Sequence, residues 1–308
     1  MRFWILASDC RGRTLKVLAG NRKRGATRNV GKILYYLGKN PLTVTGFVII
    51  ALLVFTALCA PWIAPYPDQG IGKSNIPERL QPPGKDHILG TDDLGRDILS
   101  RIIFGSRVAL KSSFIVILFV VGVGTPLGII AGYFGGKIDE IIMRVCDLVL
   151  AFPSLLLALA IVAAIGPGLQ NALLALSVPW WPWYTRLARN ETLSLKSRSF
   201  VEAARGTGVS DAVIMFKHIL PNCLTPIVVQ ATLDMGYIIL MLAGLGFLGL
   251  GTQPPAPDWG VMIGTGRIFI LDQWWVSTFP GAAIFISVLG FNLVGDGISE
   301  AANPKRHR

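Results

Sequence analysis

Glu202–Pro221 reads EAARGTGVSDAVIMFKHILP, a polar, small-residue stretch of helical character set between long apolar runs. Those runs make it decisive. The chain has 308 residues, is 52% hydrophobic and only 15% charged, with a mean hydropathy of +0.55. A soluble domain carries about 25% charged residues, so the solvent for most of this chain is lipid. Crossing a bilayer core takes about 20 apolar residues. Six segments meet or approach that length: Leu42–Ile63, Ser112–Tyr133, Leu148–Ile165, Leu169–Ala188, Leu224–Leu250 and Trp274–Gly295. The fourth is the weakest because Pro179 and Pro182 interrupt it, although neighbouring helices can satisfy the carbonyls that prolines free. The predicted class is an all-α integral membrane protein with six transmembrane helices.

Charge sets the orientation. The net charge is +11, but its distribution argues against nucleic acid as a partner. Residues 1–41 hold ten Lys/Arg and one acid, the loop Arg186–Lys217 six, Gly135–Asp147 two and the tail Lys305–Arg308 three, together 21 of the 29. Positive residues mark the cytoplasmic side, and an even number of spans places both termini there. The loop Ala64–Lys111, with seven Lys/Arg and six acids, is nearly neutral and reads as external. The expected organisation is a basic cytoplasmic tail (1–41), a first transmembrane helix (42–63), an external loop with an interfacial helix (64–111), a core transmembrane domain (112–297) carrying the cytoplasmic loop 199–221, and a short cytoplasmic tail (298–308). Met1–Ala7 is too short for a signal-peptide core and Asp9 follows it, so the first span reads as an uncleaved anchor.

Within that frame, residues 96–111 set Arg96, Arg101, Arg107 and Lys111 among Ile98, Ile102, Ile103 and Val108, the pattern of a helix at the interface. Gly124, Gly128, Gly132 and Gly136 recur every four residues on one helical face, which predicts close packing against another helix. Asp234 falls near mid-membrane in the fifth span. A carboxylate there is costly, and three readings stand: a contact with cargo, a hydrogen bond to a neighbouring helix, or a protonated acid. Gln253–Gly260 is too proline-rich for a helix and reads as a rigid external turn. Trp259, Trp274 and Trp275 sit where an aromatic belt is expected, while Trp180, Trp181 and Trp183 fall inside the fourth span, as packing residues or facing a route. Cys10, Cys59, Cys146 and Cys223 are scattered and read as small apolar fillers. His87, His218 and His307 show no metal-ligand spacing.

No catalytic set is found. HExxH and GxSxG are absent, and Gly132–Lys137 (GYFGGK) misses the phosphate-loop pattern by spacing and by Ile138. What remains is the loop Ser199–Pro221. Ser199-x-x-Glu202 has the form of a capping box, Ala203 and Ala204 keep the helix slim, and Gly206 and Gly208 allow it to end in a tight turn. Ser210 is placed to cap a second helix whose Val213, Phe216 and Leu220 form an apolar stripe, and Pro221 is expected to end it. Ordinary connections are only a few residues long, so a knob of this size points to a cytoplasmic partner.

Glu202-Ala203-Ala204, Gly208 and Leu220-Pro221 resemble the EAA loop of permease subunits of ABC importers, with His218 where isoleucine is usual. Leu89–Arg101 (LGTDDLGRDILSR), Gly132–Arg144 (GYFGGKIDEIIMR), Phe247–Gly260 (FLGLGTQPPAPDWG) and Phe291–Lys305 (FNLVGDGISEAANPK) resemble the dipeptide/oligopeptide branch, with Asn303 where aspartate is common. The likeness runs over roughly residues 40–306. It is similar to the second, C-type membrane subunit of such importers.

The resemblance implies the type I ABC importer permease fold in the cytoplasmic (inner) membrane, with no cofactor and no catalysis by this chain. It implies a heterodimer with a homologous B-type permease subunit, two cytoplasmic ATP-binding subunits and an extracytoplasmic solute-binding protein. Glu202, Ala203, Ala204 and Gly208 then belong to the ATPase contact and Leu220-Pro221 to its anchoring turn, with Asp234 a pathway candidate. Members of this branch also carry glutathione, nickel complexes or short oligosaccharides. A membrane-embedded enzyme would need clustered titratable groups, and only Asp147, Asp234 and Asp296 lie in or beside the spans. A stand-alone channel or carrier would show inverted repeats, and none is evident.

Overall fold

The computed structural model describes residue 38 and residues 40–302. The expected N-terminal tail, apart from its last residues, and the segment after Ala302 lie outside the described residues. α1 spans Pro41–Ile63 and α2 Ile98–Phe134. α3, Gly136–Leu150, and α4, Ser154–Ile165, follow. α5 is Leu169–Lys196, α6 Ser199–Gly206 and α7 Leu220–Phe247. α8, Trp259–Gly266, and α9, Trp275–Ala302, complete an all-helical chain with no strand among the described residues.

Among the described residues, four helices are long and apolar enough to cross a membrane: α1, α2, the continuous Asp211–Phe247 helix that contains α7, and α9. The expected span Leu148–Ile165 is instead broken. α3 and α4 bend by 82° at residues 151–153, and counted as one span they make five. Pro153 is the cause, since a proline keeps the residue before it out of helix. α5 runs for 28 residues through Pro179 and Pro182. It is long enough to cross, but its prolines, tryptophans and polar residues keep it below the hydropathy of the other four.

Small residues let the helices approach. A Cβ on Gly124 would lie 2.5 Å from the Trp181 carbonyl of α5, one on Gly128 2.2 Å from that of Thr185, and one on Gly132 2.8 Å from that of Arg189. The predicted glycine face therefore exists and clasps α5. Gly136 is not part of it: α2 stops at Phe134, and Gly135 and Gly136 turn the chain with φ of +69° and +53°. On the opposite flank Gly46 of α1 meets Leu293, and Gly290 and Gly297 of α9 meet Ile49 and Thr43.

Residues 96–111 do not make a helix of their own. Ile98 onward is the start of the 37-residue α2. Asp97 caps it by accepting from Ser100 N at 2.7 Å. Arg96 and Arg101 are buried rather than interfacial. Arg96 Nε donates to Asp92 Oδ2 at 2.7 Å, and Arg101 reaches the Pro255 carbonyl at 3.4 Å. The loop between α1 and α2 is an ordered cap built around His87. Its Nδ1 lies 2.9 Å from Asp97 Oδ1 and its Nε2 3.2 Å from Glu78 Oε2. Burial pulls the imidazole pKa down, but hydrogen bonds and charge from Asp97 and Glu78 outweigh it, and the net shift is upward.

The segment before α8 is a capped turn, as its prolines suggest. Asp258 accepts from Gly260 N at 2.8 Å and from Thr252 Oγ1 at 2.8 Å. Burial pushes its carboxyl pKa up against those donors and the Arg101 charge. Trp259 and Trp275 are buried, not in an aromatic belt: Trp259 Nε1 donates to the Ile102 carbonyl at 3.0 Å, and its ring covers Gly105. Trp274 alone of the three is exposed.

Candidate functional site

α6 begins where α5 ends, with only Ser197 and Arg198 between them. The capping box does not form. Arg198, in extended conformation, takes the cap position, no side chain caps the helix, and Ser199 is already helical. Val201 and Ala204 turn inward and are buried, while Glu202 and Ala203 face outward. Of the two alanines, only Ala203 thus shapes the outer surface. The C-terminus is a Schellman turn. Gly208 sits at φ +77°. Its N–H reaches the Arg205 carbonyl at 2.9 Å and the Val209 N–H the Ala204 carbonyl at 3.2 Å. The space around Gly208 is open, so backbone conformation, not crowding, demands glycine here.

Ser210 takes the next cap position, without a side-chain hydrogen bond. Pro221 does not terminate the second helix. The chain runs from Asp211 through a π turn at Ile214–Ile219 straight into α7. Pro221 has no N–H for the preceding turn, and a widened turn absorbs the defect. Asn222 Nδ2 donates to the His218 carbonyl at 2.6 Å. Val213 and Phe216 are exposed, as the predicted apolar stripe requires; Leu220 is half-buried and Pro221 exposed.

The loop is tied to the transmembrane body through Tyr133, the buried penultimate residue of α2. Its hydroxyl donates to Asp211 Oδ1 and accepts from Arg205 Nε at 3.3 Å. The Arg205 guanidinium also lies 4.7 Å from the ring centroid. Beside it, Arg189 of α5 makes a bidentate pair with Asp139 of α3, at 2.5 and 2.6 Å. Sequence reading missed Tyr133, Arg189 and Asp139. The one available signal was that Tyr133 and Asp139 fall inside the GYFGGKIDEIIMR stretch.

Asp234 lies elsewhere, midway along α7 and nine-tenths buried. The hydrogen bond to a neighbouring helix, one of the sequence-based readings, forms. Asp234 bonds that helix through Tyr184 OH of α5, which donates to Oδ2 at 2.7 Å, and within α7 Gln230 Nε2 donates to Oδ1 at 3.0 Å. It also lines a cavity of about 580 Å³ with Ser154, Trp180, Trp183, Arg186 and Asn190 among its other walls. Trp180 stacks on Tyr237 with centroids 4.8 Å apart, and Trp183 is exposed. Trp181 lies against Gly124 of α2 through its carbonyl.

Residues 124–308 match the family model described as "Binding-protein-dependent transport system inner membrane component". Residues 31–83 match the "N-terminal TM domain of oligopeptide transport permease C". The chain is 44% identical over 277 residues to the probable D,D-dipeptide transport system permease protein of Escherichia coli K12, covering 90% of this chain and 92% of the relative. It is 46% identical over 269 residues to a dipeptide transport system permease protein of Alkalihalophilus pseudofirmus, covering 87% and 88%. A glutathione transport system permease protein of Pectobacterium atrosepticum is 42% identical over 265 residues, covering 86% and 87%. Among solved structures, an inward facing form of the MetNI methionine ABC transporter matches with a TM-score of 0.54 at 20% identity, over 66% of this chain and 97% of that one. At that identity the likeness speaks for the fold.

Proposed function

Because the chain belongs to the family of binding-protein-dependent transport system inner membrane components, we propose that it forms, with a homologous B-type subunit, the pathway of an importer for dipeptides and oligopeptides. It is a non-catalytic, multi-pass membrane subunit of an ABC importer, a class that works with ABC subunits and a binding protein. Two cytoplasmic ATPases and an extracytoplasmic solute-binding protein complete the assembly on this reading. α5 is the sixth crossing, and both termini face the cytoplasm. The observation that carries peptide as cargo is the near full-length identity to dipeptide permeases.

Glu202 and Ala203 supply the outward face that enters an ATPase groove, and Ala204 and Gly208 fix that face, one from below and one from the turn. Leu220 and Pro221 anchor the loop's return into α7. ATP-driven closure of the ATPases moves this handle, and the free energy comes from contacts that differ between ATPase states. Glu202→Lys reverses the charge at the exposed position. Gly208→Trp forces a left-handed conformation at a cost of about 1–2 kcal/mol and fills the open face. Both variants are expected to insert and assemble, yet to hydrolyse ATP without importing a labelled dipeptide. Normal uptake by both would refute the assignment.

A further inference from the structure

We propose that the cavity between α4, α5 and α7 is a binding site for a short peptide with free termini, Asp234 receiving its ammonium group and Arg186 its carboxylate. This rests on the peptide-import reading and names the chemistry of its pathway. The starting point is a charge without a countercharge. Asp234 is nine-tenths buried in the wall of the 580 Å³ cavity. Its hydrogen-bond donors, the Tyr184 hydroxyl and the Gln230 amide, are neutral, as is the Trp180 indole beside it. Among the described residues no ion pair includes Asp234. Both oxygens are placed to accept hydrogen bonds, and a bound ammonium would favour the carboxylate form. Burying an unpaired charge is expensive, and such groups in membrane proteins mark substrate routes. A compact ammonium with three donors is the complement that site lacks.

The second charge lines the same cavity. Trp180, Trp183, Leu187 and Asn190 line it as one helical stripe of α5. Tyr184, which holds Asp234, lies on one flank of that stripe and Arg186 on the other, so acid and base bracket the space. Arg186 gives one N–H to Asp147 Oδ1 at 2.5 Å, and its planar fork has donors left for a carboxylate. Trp180, Trp183 and Tyr237 provide aromatic faces that accept varied side chains without fixed geometry. Asn190 and Ser154 offer amide and hydroxyl groups to a peptide bond. The volume falls within the range of small-molecule sites. A neutral sugar would leave Asp234 without its countercharge, whereas a zwitterion satisfies both ends.

The test uses the assembled transporter with Cys10, Cys59, Cys146 and Cys223 replaced and Ser154→Cys placed in the cavity wall. The rate of labelling by a water-soluble maleimide is followed against Ala-Ala concentration, without binding protein. Ala-Ala is expected to slow labelling. Asp234→Asn should raise the half-protecting Ala-Ala concentration at least about tenfold, the scale of a lost charge-assisted bond. It should leave protection by N-acetyl-Ala-Ala, which has no free amine, as before. Asp234→Glu should keep the preference for a free amine. Arg186→Gln should weaken Ala-Ala in the same way and leave Ala-Ala amide unchanged. Absence of protection by Ala-Ala, or equal shifts for blocked and free peptides, overturns the proposal. Uptake of a labelled dipeptide pool, with binding protein and ATP, is measured in parallel. Uptake without protection rejects the cavity assignment alone; absence of uptake rejects the peptide-import reading and the assignment with it.

Discussion

Gly128→Ala in α2 should destabilise the transporter, while Gly122→Ala six residues earlier should not. The added Cβ at Gly128 would lie 2.2 Å from the Thr185 carbonyl, 2.8 Å from Ala188 Cβ and 2.9 Å from Arg189 N, where ordinary contact begins at 3.4 Å. Two of those atoms are α5 backbone and cannot rotate away. The helices must part by roughly 1 Å, and a close-packed interface transmits that shift to Gly124 and Gly132. Overpacking costs about 1–3 kcal/mol, and the upper end applies to a backbone clash. Alanine recovers about 1 kcal/mol of helix propensity, which leaves a net loss of about 2 kcal/mol. At Gly122 a Cβ meets nothing within 4 Å, so only the propensity gain remains. The two variants should therefore differ by about 2–3 kcal/mol in equilibrium unfolding of the purified complex in mixed micelles. Equal stability of Gly128→Ala and Gly122→Ala would show that α2 and α5 do not touch at this level.

Tyr133→Phe removes the hydroxyl shared by Asp211 and Arg205 but keeps the ring under the Arg205 guanidinium. A hydrogen bond lost here weakens the tether by about 1 kcal/mol, roughly fivefold. ATP hydrolysed per dipeptide imported in proteoliposomes should rise on that scale with assembly intact, and more for Tyr133→Ala; an unchanged ratio in the Phe variant removes the hydroxyl from the coupling path. The cap between α1 and α2 should depend on pH through His87. Its folded pKa is raised, so its contribution is complete below the unfolded value of 6.5 and is lost as pH rises through the folded pKa. Hydrogen exchange over residues 66–97, corrected for intrinsic rates, should show protection falling from pH 6 to pH 8, and His87→Gln should be flat. The same slope in the variant would assign the effect to another group.

Local signals were the legible ones. Apolar runs located α1, α2, α7 and α9 because lipid demands length. The four-residue glycine period found the α5-facing side of α2, and it failed only at Gly136, where positive φ ends the helix. Gly208 was readable as a turn because its role is conformational. Ser199 misled because two residues suffice to leave α5, so α6 starts a position early and the box has no room. Statistics for tryptophan at interfaces do not see Gly105, which opens the slot that buries Trp259. Tyr133 reaches Asp211 across 78 positions and Tyr184 reaches Asp234 across 50. Such pairs exist only once helices have packed, and a single sequence carries no trace of them. Asp234 could be singled out by its cost in lipid, but its partners could not.

The proposed handle and the proposed cargo site meet in one element. α5 ends two residues before α6, carries Arg189 on Asp139, and higher up presents Arg186 and the aromatic wall to the cavity. The glycines of α2 press on the same helix, so a displacement of Glu202 and Ala203 is not absorbed between α2 and α5; those two move as a body. α7 is joined differently. Between α6 and Asp234 lies the π turn Ile214–Ile219, where Pro221 has removed a rung of the hydrogen-bond ladder and bending is least costly. Asp234 and Arg186 therefore stand on opposite sides of the compliant point. On the proposed reading, a peptide that bridges them would be held in the arrangement that keeps both ends paired. It would lose one end were α5 to move relative to α7, a motion that must also break the Tyr184–Asp234 hydrogen bond. Its affinity for the two states differs for that reason, which is the condition any ATP-driven release must meet.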